Sequence, residues 1–228
     1  MKNFKHSLDK IRTPKTEYKL SRKVLFSTLA FLFGFLMGML SKRLDTTAVN
    51  ILPAILQSLD LGNFLGMLSG WALMAVIIAV FSRSPLRAGL NVFLFFAGML
   101  LSYCIFSVVF GGFMLDTSYL MIWVAYTMIS PLFGCVIWYA RGKGAPAIIL
   151  SAVVIGYFIL QAFTFSPTFD YFDLSYQWIG VVVLVIGIAA LYVRLKQTLI
   201  SVGLAIVIAY LLNLLIKVLP FSVPVLSI

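Results

Sequence analysis

Residues 62–81, GNFLGMLSGWALMAVIIAVF, form an apolar run of about the 20 residues needed to cross a hydrocarbon core, and they decide the fold class. Gly62, Gly66 and Gly70 stand at four-residue spacing in its first half, so a continuous helix would carry all three on one smooth face. The apolar run 24–41 just upstream places Gly34 and Gly38 at the same spacing. The pattern predicts two neighbouring helices with strips on which another backbone can lie close, whether that backbone belongs to this chain or to a partner.

Of 228 residues, 62% are hydrophobic and 11% charged, whereas soluble domains carry about 25% charged residues. A soluble fold of this size could not hide so much apolar surface, so the expected class is an all-α membrane protein whose helices satisfy their backbone groups internally. The formal net charge of +10 does not point to nucleic acid, because Lys2, Lys5, Lys10, Arg12, Lys15, Lys19, Arg22 and Lys23 all precede the first span. Anionic lipid beside that leader is the expected partner.

Apolar runs at 24–41, 62–81, 89–110, 119–140, 146–165, 177–193 and 199–219 predict seven transmembrane helices between a basic leader, 1–23, and a short tail, 220–228. The first is read as a retained helix rather than a signal peptide: its basic leader is long, and it ends in Ser41-Lys42-Arg43 with no small-residue cleavage site. In the leader, Phe4, Leu8 and Ile11 share one helical face ahead of Pro14, which suits either a helix resting on the inner leaflet or a disordered basic tail. Residues 42–61, KRLDTTAVNILPAILQSLDL, are too polar to cross. Asn50 as a cap, Pro53 in the first turn, and Leu52, Ile55, Leu56 and Leu59 on one face predict a short amphipathic helix on the outer surface.

Orientation follows from the basic residues of the loops. With the leader cytoplasmic, the inner side holds fourteen of seventeen, including Arg83, Arg87, Arg141, Lys143, Arg194 and Lys196, and the outer side only Lys42, Arg43 and Lys217. Asp45, Asp60, Asp116, Asp170 and Asp173 fall outside. The N-terminus is expected in and the C-terminus out. Inner turns near Arg83, Arg141 and Arg194 recur at 58 and 53 residues, but the charge rule spaces any multi-pass chain in this way and the hairpins share no residue pattern. Cys104 and Cys135 fall at about 22 Å and about 8 Å from the inner face, too far apart in depth for a disulfide. They read as small buried apolar side chains.

Catalysis at depth needs ionisable groups, and the only histidine, His6, and the only glutamate, Glu17, lie in the leader. That excludes an HExxH zinc protease, a glutamate-and-histidine prenyl-protein protease and a serine–histidine rhomboid dyad. No enzyme activity, metal or cofactor is expected. Receptors and rhodopsins place the N-terminus outside, opposite to the charge count, and Lys217 stands at the outer end of the last span rather than in mid-helix. An ion-driven transporter would carry Asp, Glu or His along its path. The spans hold neutral polar groups instead: Ser69, Ser102, Tyr103, Tyr126, Thr127, Ser130, Tyr157, Gln161, Tyr210 and Asn213.

These groups suit interhelical hydrogen bonds worth about 0.6 kcal/mol each. A sharper reading takes Ser102, Tyr103, Tyr126, Ser130, Pro131, Gln161, Tyr210 and Asn213 as a pocket for a neutral or weakly polar ligand. Its anchor is Ser130-Pro131, where proline frees a carbonyl one turn earlier and Gly134 permits a bend. The loop 164–176, TFSPTFDYFDLSY, reads as an interfacial aromatic belt; with Asp170 and Asp173 it could also form an acidic, aromatic mouth for a cationic ligand.

Two stretches, FGFLMGMLSKRLD at 33–45 and FSRSPLRAGLNVFLFFAGML at 81–100, resemble a family of small, uncharacterised multi-pass membrane proteins of Gram-positive bacteria. The resemblance implies a bacterial cytoplasmic (inner) membrane and brings no site residues. In size the chain is similar to the substrate-binding subunits of energy-coupling-factor vitamin transporters, which meet a partner through small-residue helix faces but have six helices and both termini inside. Two functions stay open. One is a transport-related small permease or membrane subunit with a neutral cavity. The other is a non-transporting accessory or assembly protein that docks a membrane-protein partner, or a second copy, through Gly34, Gly38, Gly62, Gly66 and Gly70.

Overall fold

A computed structural model of the chain describes residues 2–15, 19–59, 61–112, 116–165, 172–174 and 177–218. The helices are α1 (Lys2–Ile11), α2 (Leu20–Asp45), α3 (Ala54–Leu59), α4 (Leu61–Gly66), α5 (Leu68–Phe81), α6 (Pro85–Val109), α7 (Thr117–Trp138), α8 (Ala145–Ala162), α9 (Gln177–Leu191) and α10 (Leu195–Val218), with short 3-10 turns at Val49–Ile51 and Tyr139–Arg141. Between α8 and α9 a small antiparallel ribbon pairs β1 (Phe163–Phe165) with β2 (Phe172–Leu174), Thr164 standing opposite Asp173. Among the described residues, five helices are long and apolar enough to cross a membrane: α2, α6, α7 with its 3-10 turn, α8 and α10. Helices α5 and α9 are apolar but shorter. Leu36, Leu132, Phe133 and Leu211 lie exposed around them, as the outer surface of a multi-pass membrane protein requires.

Local chemistry sets the helix ends. The Ser84 hydroxyl accepts from the Arg87 amide at 3.3 Å and Pro85 follows it, a start signal for α6. Asp116, expected in the acidic outer surface, caps α7 by accepting from the Tyr119 amide at 3.0 Å. The turn into α8 runs through Gly144 at φ 83°, a left-handed conformation that glycine adopts without strain.

Close backbone approaches fix the directions. Gly34 abuts Phe95 and Gly38 abuts Met99, so α2 and α6 run parallel, with Gly98 returning the contact against Phe31. Gly89 against Pro131 and Gly134 against Ala88 set α6 and α7 antiparallel. On the other side, Ser201 donates to the Ile148 carbonyl and Gly156 abuts Ala205, so α8 and α10 run parallel. Helix α9 packs antiparallel to α8, Gly187 on Phe158 and Gly180 on Ala162. The short α5 joins the two groups. Its Leu73, Val76 and Val80 enter the core shared with α8, α9 and α10, while Trp71, Ala75 and Ala79 enter the core shared with α6 and α7.

Three expectations are corrected here. The run 62–81 is not one helix: it breaks between α4 and α5 at Met67, whose backbone is extended at φ −87° and ψ 151°. Each glycine costs a helix about 1 kcal/mol relative to alanine, and the break is stabilised because the Trp71 indole donates to the freed Leu65 carbonyl at 2.7 Å. The glycine strip of this segment is thereby divided. A Cβ added at Gly62 would lie 3.8 Å from the Leu44 carbonyl, one at Gly70 would press on the Phe64 ring, and one at Gly66 would meet no other part of the fold within 4 Å. Second, Asn50 sits inside the 3-10 turn and does not cap a helix; Pro53 instead precedes α3, its carbonyl accepting from the Gln57 amide at 3.1 Å.

Third, the leader neither floats nor lies on lipid alone. The Arg12 guanidinium, at the end of α1, donates to the Trp138 carbonyl at 2.5 Å and the Val80 carbonyl at 2.8 Å, and stacks 4.1 Å over the Trp138 ring. The Lys15 amide donates to the Arg83 carbonyl, and the Lys143 amide to the Ile11 carbonyl. The leader is strapped across the turns that end α5 and α7. Glu17, Asp60, Asp170 and the tail 220–228 lie outside the described residues.

Candidate functional site

The expected polar pocket is not assembled as one site. Ser102 is fully buried against Gly38 and donates to the Met99 carbonyl at 3.0 Å. Ser130 donates to the Thr127 carbonyl at 2.8 Å, which is the carbonyl that Pro131, lacking an N–H, leaves without its helical partner. The anchor of the proposed pocket is a repair of the proline break, and Pro131 and Gly134 face α6. Ser130→Ala is expected to lower thermal stability by about 0.6 kcal/mol, read as a small fall in the midpoint of detergent-solubilised protein. Gln161 ends α8 beside Gly180, and Tyr210 is part-exposed on α10. The Tyr157 hydroxyl and the Asn213 amide nitrogen are buried without a hydrogen-bond partner. Tyr126 packs with its ring tilted against Trp123, 5.9 Å between ring centres.

What the fold does assemble lies at the C-terminal ends of α2 and α6 and the N-terminal end of α7. Helix α2 continues through Asp45, which draws Lys42 out of the expected surface linker and buries it to 6% exposure. Its ammonium donates to the Asp45 carboxylate at 2.7 Å and the Tyr103 hydroxyl at 3.2 Å, and lies 4.8 Å from the Tyr103 ring centre. From Tyr103 an aromatic chain runs through Tyr119 and Trp123 to Trp71, with 6.4 Å between successive ring centres. These rings, with Ser41, Asp45 and the α4–α5 break at Leu65 and Gly66, line a cavity of about 60 Å³, room for a few waters.

The charges in this site are paired and its rings carry polar edges. A buried ammonium is costly alone; here a carboxylate and a phenol satisfy it, leaving a near-neutral wall. The α4–α5 break adds unwound backbone and the N-terminal end of α5, whose Met67 cap position makes no side-chain hydrogen bond. Asp45→Asn is expected to cost about 1 kcal/mol in thermal unfolding, a modest loss because the carboxylate is 56% exposed.

Lys42, Trp71, Tyr119 and Trp123 escaped the sequence reading. The signal that could have found Lys42 is that no helix-stopping residue stands between 41 and 45, so the helical pattern runs on into SKRLD. Asp173 is placed only by its strand pairing with Thr164.

No curated protein and no solved structure matches the chain. A protein-family model matches residues 17–222, from just ahead of α2 to beyond the end of α10, and the chain belongs to that family, a family of unknown function designated DUF6518.

Proposed function

We propose that the chain is a seven-crossing protein of a bacterial cytoplasmic membrane, N-terminus in and C-terminus out, acting as a small permease or ligand-binding membrane subunit for a neutral or weakly polar ligand. The supporting observation is the broken helix α4–α5 at a cavity whose wall includes Asp45 and Tyr103, the partners of the buried Lys42. Non-helical backbone at membrane depth is tolerated where it lines a cavity, and discontinuous helices of this kind form substrate sites in secondary transporters. The parallel pairs α2–α6 and α8–α10, each separated by an antiparallel helix, support seven alternating crossings. No covalent chemistry is assigned to the site.

The accessory reading depends on glycine faces left open to a partner. Gly34 and Gly38 are taken up by α6, and of the five positions Gly66 is the one where an added Cβ would meet nothing within 4 Å among the described residues. Native mass spectrometry of gently extracted protein separates the two. The transport reading predicts a reproducible non-lipid mass that Trp123→Ala removes while the protein stays folded. A defined complex with another membrane protein and no extra mass, or a retained mass indifferent to Trp123, would reject it.

A further inference from the structure

The cavity beside Trp71 holds about 60 Å³, well under the range of about 300 to 1,000 Å³ typical of ligand sites. Anything larger than a few waters therefore needs one of its walls to move. The walls from α2, α6 and α7 have no slack: a Cβ added at Gly34, Gly38 or Gly98 would press on backbone across the α2–α6 contact, and one at Gly89 or Gly134 would do so across α6–α7. Helix α5 is held in both cores. Helix α4, which contributes Gly62, Leu65 and Gly66 to the lining, has clearance instead. A Cβ added at Gly62 would make ordinary contact with Leu44, at 3.8 to 4.0 Å, and one at Gly66 would meet nothing within 4 Å.

Three residues of this segment divide into a hinge, a pivot and a latch. Met67 is the hinge: its backbone is extended between two helices, so α4 can turn against α5 through the dihedrals of one residue without unwinding either. Phe64 is the pivot, its ring seated over Gly70 and packed against the core shared by α5, α8 and α9. The latch is the carbonyl of the next residue, Leu65, which accepts from the Trp71 indole at 2.7 Å and from the Ser41 hydroxyl at 3.5 Å. Consecutive residues stand about 100° apart around a helix, so releasing Leu65 swings the cavity face of α4 away while Phe64 stays seated.

We infer that α4 is a hinged lid over this cavity, latched by the Trp71 indole and opening at the end of the bundle where α2 and α6 finish and α7 begins. Trp71 and Ser41 also line the cavity. A ligand that presents a neutral hydrogen-bond acceptor, such as a carbonyl or ether oxygen, therefore competes with Leu65 for both donors, and its entry is coupled to opening. For what passes the lid, the inference rests on the ligand-binding reading above; the motion itself is testable with no ligand present.

The test uses full-length protein in detergent, with Cys104 and Cys135 changed to serine. Ser41, buried in the cavity wall, is replaced by cysteine, and its modification by methyl methanethiosulfonate is timed. Ser41→Cys alone is expected to react slowly. Ser41→Cys/Trp71→Phe, which keeps an aromatic ring and removes the N–H, should react about tenfold faster, as loss of a buried hydrogen bond implies. Ser41→Cys/Arg12→Ala, loosened at the far end of α5, should react at the Ser41→Cys rate. A rate indifferent to Trp71→Phe, or equally raised by Arg12→Ala, would overturn the inference. A clamp gives the second measurement. The Leu44 Cβ lies 4.0 Å from a Cβ built at Gly62, within the span of about 3.5 to 4.5 Å that a disulfide bridges, so Leu44→Cys/Gly62→Cys should oxidise to a bridge between α2 and α4. Hydrogen exchange of the amides of 61–66 should slow at least about tenfold in the bridged form and recover on reduction. Exchange unchanged by the bridge would overturn the lid even where Trp71→Phe fails to fold. A lid that behaves as expected in a protein retaining no non-lipid mass would stand, and would count against the ligand reading alone.

Discussion

Gly38→Leu is expected to abolish the folded protein. A Cβ at this position meets the Ser102 hydroxyl and the Met99 carbonyl, with the Met99 Cα at 3.0 Å, and Gly34 next to it is closed in the same way by the Phe95 backbone. Backbone cannot step aside as a flexible side chain can, so the cost exceeds the usual overpacking penalty of about 1 to 3 kcal/mol. The expected result is loss of the monodisperse peak in size-exclusion chromatography. Gly66→Leu is the contrasting case. A Cβ added there meets nothing within 4 Å, so the change should alter stability by less than about 1 kcal/mol, yet it fills space in the wall of the cavity beside Trp71 and should expel whatever that cavity retains. The two glycines look alike in sequence and are expected to behave oppositely, because one faces backbone and the other faces space.

Arg12→Ala should be the most damaging change outside the membrane-spanning helices, lowering stability by about 2 kcal/mol. The estimate rests on two charge-assisted hydrogen bonds to helix-terminal carbonyls, partly screened by water. The Arg12 side chain ties the ends of both α5 and α7 to the leader, reaching Val80 and Trp138 while stacking on the Trp138 ring. Burial, and then the nearby Arg141, lower its pKa from 12.5 to about 10. It therefore stays charged at neutral pH, and this interaction should contribute no pH dependence there. Lysine is not expected to rescue, since a single ammonium cannot span both carbonyls with a planar fork. Thermal unfolding of Arg12→Ala and Arg12→Lys beside a leader-deleted chain checks this: all three should fall by similar amounts.

The sequence was most informative where one physical constraint acts alone. Long apolar runs located the helices to within a few residues, because hydrocarbon permits little else; α6 begins at Pro85 against an expected 89, and α8 ends at Ala162 against 165. It was misleading where two constraints compete. In 62–81, hydrophobicity argues for one helix and three glycines argue against it, and the outcome is decided by Trp71, whose indole is available to satisfy Leu65. Pairing was unreadable for a related reason. Gly34 and Gly38 announce a close neighbour but not which one, and the neighbour is the parallel α6 some sixty residues on in sequence, not the next helix. The cavity beside Trp71 was hidden because Lys42 and Asp45 looked like loop charges; only the continuation of α2 buries the Lys42 ammonium and pairs it with Asp45.

Seven crossings require the short helices α5 and α9 to cross as well. Helix α5 has 14 residues, which at 1.5 Å each gives about 21 Å, and hydrocarbon is about 30 Å thick; the crossing needs α4 to continue it. The direct test is single-cysteine labelling in intact cells, after Cys104 and Cys135 are changed to serine, with a membrane-impermeant reagent. Cysteines at Ser84, Gly142 and Arg194 should be shielded until the membrane is opened, and cysteines at Thr47, Gly112 and Thr164 should label from outside. Thr47 and Ser84 labelling from the same side would mean that the broken helix does not cross, and the seven-crossing account would be contradicted at the segment on which it rests.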